Sequence, residues 1–119
     1  MESNLGSTCI FCKIIKGEVP CQQVASDEHF LAFNDIYPQA PVHILIIPKR
    51  HISSIVECNQ EDQSMLGSLL LTAKMLASSH GLDRSGYRLN INAGKDGGQS
   101  VSHLHLHLLG GRAFNWPPG

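Results

Sequence analysis

His103-Leu104-His105-Leu106-His107-Leu108-Leu109 is the stretch from which the rest of the chain can be read. Three histidines stand here at two-residue spacing, with apolar residues between them. Residues i, i+2 and i+4 of a β-strand point to one face. The stretch therefore reads as a strand with three imidazoles on one side and Leu104, Leu106 and Leu108 turned to a core. Alternation alone describes any half-buried strand whose polar side meets water. A solvated face usually carries Lys, Thr, Glu or Ser. Three identical titratable rings point instead to chemistry: neutral imidazole at pH 7 is a nucleophile, an acid or base, or a metal ligand. At a rise of about 3.3 Å per residue, i, i+2 neighbours lie roughly 7 Å apart. That suits separate roles along one site better than shared ligation of one ion.

The loop feeding this strand is Gly94-Lys95-Asp96-Gly97-Gly98-Gln99-Ser100. Its glycines allow backbone N–H groups to cradle a phosphate, although a plain hairpin loop has the same composition. Upstream, residues 87–92 alternate, with Tyr87, Leu89 and Ile91 on one face. Residues 24–26, 29–34 and 43–47 read as further strands, and Pro48 stops the pairing of the third. Asn59 with Asp62 resembles a capped helix start. From there a helix should run to about His80. Met65, Leu66, Leu69, Leu70, Ala73, Leu76 and Ala77 make its apolar stripe. Residues 13–17 form a short helical turn ended by Gly17. The tail, Trp116-Pro117-Pro118-Gly119, should lie along a surface or a partner. One long helix, a short N-terminal helix and about five strands predict an α+β fold on an antiparallel sheet.

With 119 residues and 42% apolar content, the chain has the makings of one domain, expected over residues 9–119 behind a flexible tail of residues 1–8. A net charge of −1 offers no field for nucleic acid or an anionic membrane. Apolar runs such as 44–47 and 69–71 are too short to span a bilayer. Residues 1–8 have neither the basic start nor the apolar centre of a secretory signal. A reducing, cytoplasmic setting is the expectation. There, Cys9, Cys12, Cys21 and Cys58 are thiols or metal ligands rather than a disulfide framework. Cys9 and Cys12 form a CxxC pair, half of a zinc site.

His103 to Leu109 matches the histidine-triad signature, His-φ-His-φ-His-φ-φ. Asn34-Asp35-Ile36, Pro38 to Pro41, His43, Ile47 to His51, Asn92, Asp96 to Ser100, Gly110-Gly111-Arg112 and the Trp-Pro-Pro-Gly ending also agree. From Cys9 to Gly119 the chain resembles the histidine-triad nucleotide-binding branch of the histidine-triad (HIT) superfamily. The resemblance implies a five-stranded antiparallel sheet, a homodimer, and hydrolysis of purine nucleoside 5′-phosphoramidates (AMP or GMP type) to the nucleotide and an amine. His105 would be the nucleophile that carries the nucleotidyl intermediate. His107 would stabilise phosphate charge, and His43 would orient the site. Asp35 would accept the ribose hydroxyls, with Ile10, Phe11, Phe33 and Ile36 walling the base. Asn92, Gly98, Gln99 and Ser100 would hold the phosphate and leaving group. Trp116 and Asn34 join the substrate-binding set, Asn34 standing where a histidine is common in the family. No cofactor is needed for this chemistry. The resemblance also implies a structural zinc on Cys9, Cys12, His51 and His103.

Two other functions fit parts of the pattern. A dinucleoside polyphosphate hydrolase of the same superfamily tends to carry Gln at the position of Asn92 and to lack the Trp-Pro-Pro-Gly ending. A nucleotide-binding regulatory protein with little turnover would not need the full set of His105, His107 and Ser100.

Overall fold

A computed structural model describes residues 8–119. Residues 1–7, most of the expected tail, lie outside the described residues. The elements are α1 (Ile10–Ile15), β1 (Gln23–Ser26), β2 (Phe30–Asn34), β3 (Val42–Pro48), α2 (Gln63–Ser79), β4 (Tyr87–Asn90) and β5 (Leu106–Gly110). The five strands form one sheet in the order β1-β2-β3-β5-β4, and each neighbouring pair is antiparallel. This is the α+β architecture expected from the alternation. Among the described residues no helix is long and apolar enough to cross a membrane.

The register sorts the side chains onto two faces. Phe33 pairs with Leu45, Leu45 with His107, and His107 with Asn90. Directly opposed residues share a face, so this row crosses the sheet on one side. His43, Leu109 and Arg88 form a second row on that side. The other side carries Ala32, Ile44, Ile46, Leu106 and Leu108, buried with Leu69, Ala73 and Ala77 of α2. At about 25 cal/mol per Å² of apolar surface removed from water, this layer is the main source of stability. α1 lies on the opposite face, where Phe11 packs with Leu31, Phe33, Leu45 and Ile47.

α1 starts three residues before the helical turn expected at 13–17, and three further details differ from the sequence reading. First, the triad is not all strand: β5 begins at Leu106, leaving His103, Leu104 and His105 before it. The β3–β5 ladder stops at Ile46 and Leu106. The Leu104 N–H donates to Ile52 O instead, and His103 reaches the Pro48 carbonyl with its ring. The leucine alternation nevertheless persists into the core at Leu104. Second, the capping box sits on a 3₁₀ turn, Gln60–Asp62, and α2 starts after it. Third, Leu70 is half exposed, not part of the buried stripe. Leu69, Leu70 and Leu71 point 100° apart in turn, and only Leu69 faces the sheet.

Candidate functional site

A cavity of about 330 Å³ opens on the sheet face beneath α1. Ile10, Phe11, Val19, Phe33, Ile36 and Leu45 give it apolar walls. Asn34, Asp35, Ser100, His105 and His107 are its polar groups, and it contains neither Lys nor Arg. Such a slot accepts a flat ring, and a charged group held here must be met by hydrogen bonds.

The hydrogen bonds assign the histidine tautomers. The Gln39 backbone N–H donates to His43 Nδ1 at 3.0 Å. The His43 proton must then sit on Nε2, where it donates to His107 Nδ1 at 2.9 Å. His107 in turn carries its proton on Nε2, a buried atom with no partner among the described residues. The chain of bonds thus ends in an unpaired donor on a residue that lines the cavity. His105 is set the other way: its Nδ1 donates to the His103 carbonyl at 2.7 Å. Nε2 of His105 keeps a lone pair. A free lone pair and a free N–H therefore sit on two rings whose centroids are 5.1 Å apart. Such a pair can supply a nucleophile beside an electrophilic donor.

Burial favours the neutral form of His107 and of His43. Desolvation, followed by the neighbouring His105 and His43, lowers the His107 pKa from 6.5 to about 4. Burial also lowers that of His43, with Asp35 opposing the shift. Asp35 Oδ2 lies 3.3 Å from His43 Nε2, and Oδ1 accepts the Tyr37 N–H at 2.8 Å. A carboxylate has further lone pairs beyond these, open to hydroxyl donors. Asp35, His43 and His107 could between them touch a cation. The proton on His43 Nε2 already accounts for their close approach.

The structure brings Ile10, Phe11, Phe33, Asn34, Asp35, Ile36, Ser100, His105 and His107 to one cavity. Asn92 stands on its far side with His43 and His107, and its Oδ1 accepts from Asn90 Nδ2 at 2.8 Å. The loop differs from expectation. The Gly98 N–H donates to Lys95 O, and the Gln99 N–H to Gly94 O. Gln99 Nε2 donates to Ser53 O and Val101 O. These donors brace the loop, and none of them is free for a phosphate. Trp116 is exposed and lines none of these walls. The sequence reading missed Gln39, which sets the His43 tautomer through its backbone. No side-chain pattern marks such a residue. It also missed Asn90, whose place opposite His107 becomes visible only with the register.

A second cluster lies behind the first. Ligand atoms of Cys9, Cys12, His51 and His103 all fall within 4.8 Å of one another. Cys9 Sγ is 3.3 Å from His103 Nδ1, and Cys12 Sγ is 3.3 Å from His51 Nδ1. Cys12 Sγ and His51 Nδ1 lie 3.7 and 3.2 Å from His103 Nδ1. Zinc bonds of about 2.3 Å to sulfur and 2.0–2.1 Å to nitrogen imply tetrahedral edges of roughly 3.3–3.8 Å. His103 Nε2 donates to Pro48 O at 2.8 Å, turning the Nδ1 lone pair into the cluster. Without a cation, burial and then Cys9 push the Cys12 thiol up to about 11, and burial holds His103 down at about 4. These residues fit a tetrahedral zinc in spacing and donor chemistry.

The family model described as "Scavenger mRNA decapping enzyme C-term binding" matches residues 8–114. An uncharacterised HIT-like protein of Synechococcus elongatus is 56% identical over 110 residues, covering 92% of this chain and 96% of that protein. The crystal structure of a HIT family hydrolase from Legionella pneumophila superposes with a TM-score of 0.93 at 54% identity, covering 94% of this chain and 100% of that one. A histidine triad nucleotide-binding protein from Candida albicans superposes with a TM-score of 0.79 at 34% identity, covering 94% of this chain and 85% of that one.

Proposed function

Because this chain belongs to the histidine-triad superfamily, we propose that it is a hydrolase cleaving the P–N bond of purine nucleoside 5′-phosphoramidates. The observation that carries the reading is the opposed pair of tautomers. His105 offers a lone pair on Nε2, and His107 offers an N–H with no partner among the described residues.

In the first step His105 Nε2 attacks the α-phosphorus. A P–N(His) bond forms as the substrate P–N bond breaks, and the leaving nitrogen takes a proton to become an amine. In the second step water attacks the nucleotidyl-histidine, releasing the nucleoside monophosphate and restoring His105. Dividing the transfer in this way replaces one hard displacement by two easier ones. His107 Nε2–H meets the charge that gathers on the phosphoryl oxygens. With no Lys or Arg in the cavity, this donor and Ser100 carry much of that task. The apolar walls suit a purine, and Asp35 suits the ribose hydroxyls. The Candida albicans neighbour is a histidine triad nucleotide-binding protein, which agrees with that assignment.

A structural zinc on Cys9, Cys12, His51 and His103 belongs to the same reading. It would fix the two segments that lead into His105, and it has no part in bond making. Homodimerisation belongs to it as well. β4 is at the sheet edge, and Leu71 and Met75 are exposed on α2.

The test is turnover of lysine- or tryptamine-linked adenosine 5′-phosphoramidate by the native chain and by His105→Ala. Release of AMP by the native chain and its loss in the variant are expected, a fall of about 10⁴-fold or more. A folded native chain that binds AMP and releases none from either substrate would overturn the reading.

A further inference from the structure

His107 borders two cavities. Besides the slot beneath α1, it lines a second space of about 310 Å³ with His43, Asn92, Arg88, Arg112 and Phe114. His105 is not among the residues lining that space. In an in-line displacement the leaving group departs on the side of phosphorus away from the nucleophile. For a phosphorus held at His107, a leaving group departing away from His105 would enter the second cavity.

Its chemistry is opposite to that of the first. The slot has no cationic side chain, whereas the second cavity has two. Both contact Phe114, with the Arg112 guanidinium carbon 4.1 Å and the Arg88 carbon 5.1 Å from the ring centroid. Backbone carbonyls hold both in place: Arg88 Nη2 donates to Asn115 O, and Arg112 donates to Gln39 O and Ala113 O. Neither forms an ion pair with a carboxylate of the described residues. A guanidinium has five N–H donors, so each arginine retains some for a ligand. Two preorganised cations with no carboxylate partner among the described residues, beside His107, suit a negative group.

We infer that the Arg88–Arg112 cavity is a leaving-group subsite that selects leaving groups bearing an anionic group, such as an amine carrying a carboxylate. The inference rests on the phosphoramidate reading for the direction of departure. It deepens that reading by naming the class of leaving group. The anion has two possible sources, the carboxylate of an amino acid amine and the next phosphate of a nucleoside polyphosphate.

Two measurements separate the subsite from the chemistry. Equilibrium titration uses the His105→Ala chain, in which turnover does not intervene. Its ligands are the Nε-lysine adduct of AMP, the methyl ester of that adduct, ADP and AMP. The same adduct and ester are then compared as substrates of the native chain by kcat/KM. An anion held by a charge-assisted hydrogen bond should bind about tenfold more tightly than its neutral match. Arg88→Met should abolish the preference by bringing the free-carboxylate adduct down to the ester in affinity and kcat/KM, while Arg88→Lys should restore part of it. Preference for the free carboxylate identifies an amino acid amine, and preference for ADP over AMP alone identifies a phosphate. Equal binding within both pairs, or a preference that survives in Arg88→Met, overturns the inference. A preference in binding without hydrolysis by the native chain overturns the phosphoramidase reading and leaves the subsite standing.

Discussion

His107 shows how much one ring depends on its neighbours. Its proton sits on Nε2 because His43 donates to Nδ1, and His43 does so because the Gln39 backbone N–H occupies its other nitrogen. Burial holds the His107 pKa near 4, against 6.5 for the free ring. Above about pH 6.5 the ring is neutral both folded and unfolded, and its protonation contributes nothing to the pH dependence of stability. Between 6.5 and about 4 the unfolded chain takes up a proton that folded His107 refuses. Stability should therefore fall as pH falls through that window, and His107→Gln should flatten the fall by one histidine's share. Urea midpoints measured for both chains from pH 7.5 to 4.5 check this, and parallel curves would contradict it. The three histidines were legible in the sequence because two-residue spacing is visible there. Their opposite tautomers were not. Those depend on the carbonyl of His103 and the N–H of Gln39, and backbone groups are the same at every position.

At the scale of elements, the loop from Gly94 to Ser100 feeds the triad. Its glycines suggested a phosphate cradle, but they have different structural duties. Gly94 and Gly98 adopt positive φ values of 72° and 76°. Gly97 instead lies against the backbone of Ala93, where a Cβ would collide with the carbonyl oxygen. Backbone cannot move aside as a flexible side chain does. Gly97→Ala should displace the loop that carries Ser100, lower stability by about 1–3 kcal/mol and reduce kcat/KM by roughly tenfold or more. Thermal unfolding and steady-state kinetics together check this, and a variant with native values on both would contradict it. The elements themselves were mostly legible. Periodicity located the strands and α2, because each buries one face against the other. The early end of β5 was not, since His103 leaves the ladder for a carbonyl 55 residues away in sequence. The half-exposed Leu70 reflects the limited width of a helix face, which composition does not define.

At the scale of the whole molecule, two clusters share one short segment. His103 belongs to the Cys/His set, and its carbonyl fixes the His105 tautomer. A zinc bound there would stiffen the backbone that holds His105, the proposed nucleophile. One equivalent of zinc per chain is expected by elemental analysis. Its removal by a chelator should lower the melting temperature by several degrees, with recovery on adding zinc back. Protein purified from zinc-supplemented cells without metal, and equally stable with chelator, would contradict this. The two cavities meeting at His107 extend the same logic, since one row of side chains on the sheet face serves both. That meeting could not be read from the sequence, because Arg88 and His43 become neighbours of one site only through the register. The central claim is double displacement through His105, and the stereochemical course at phosphorus tests it most directly. A P-chiral adenosine 5′-phosphorothioamidate would be hydrolysed in heavy-oxygen water and the configuration of the product determined. Two in-line displacements predict net retention. Net inversion would mean that water attacks the substrate directly, and would contradict the account.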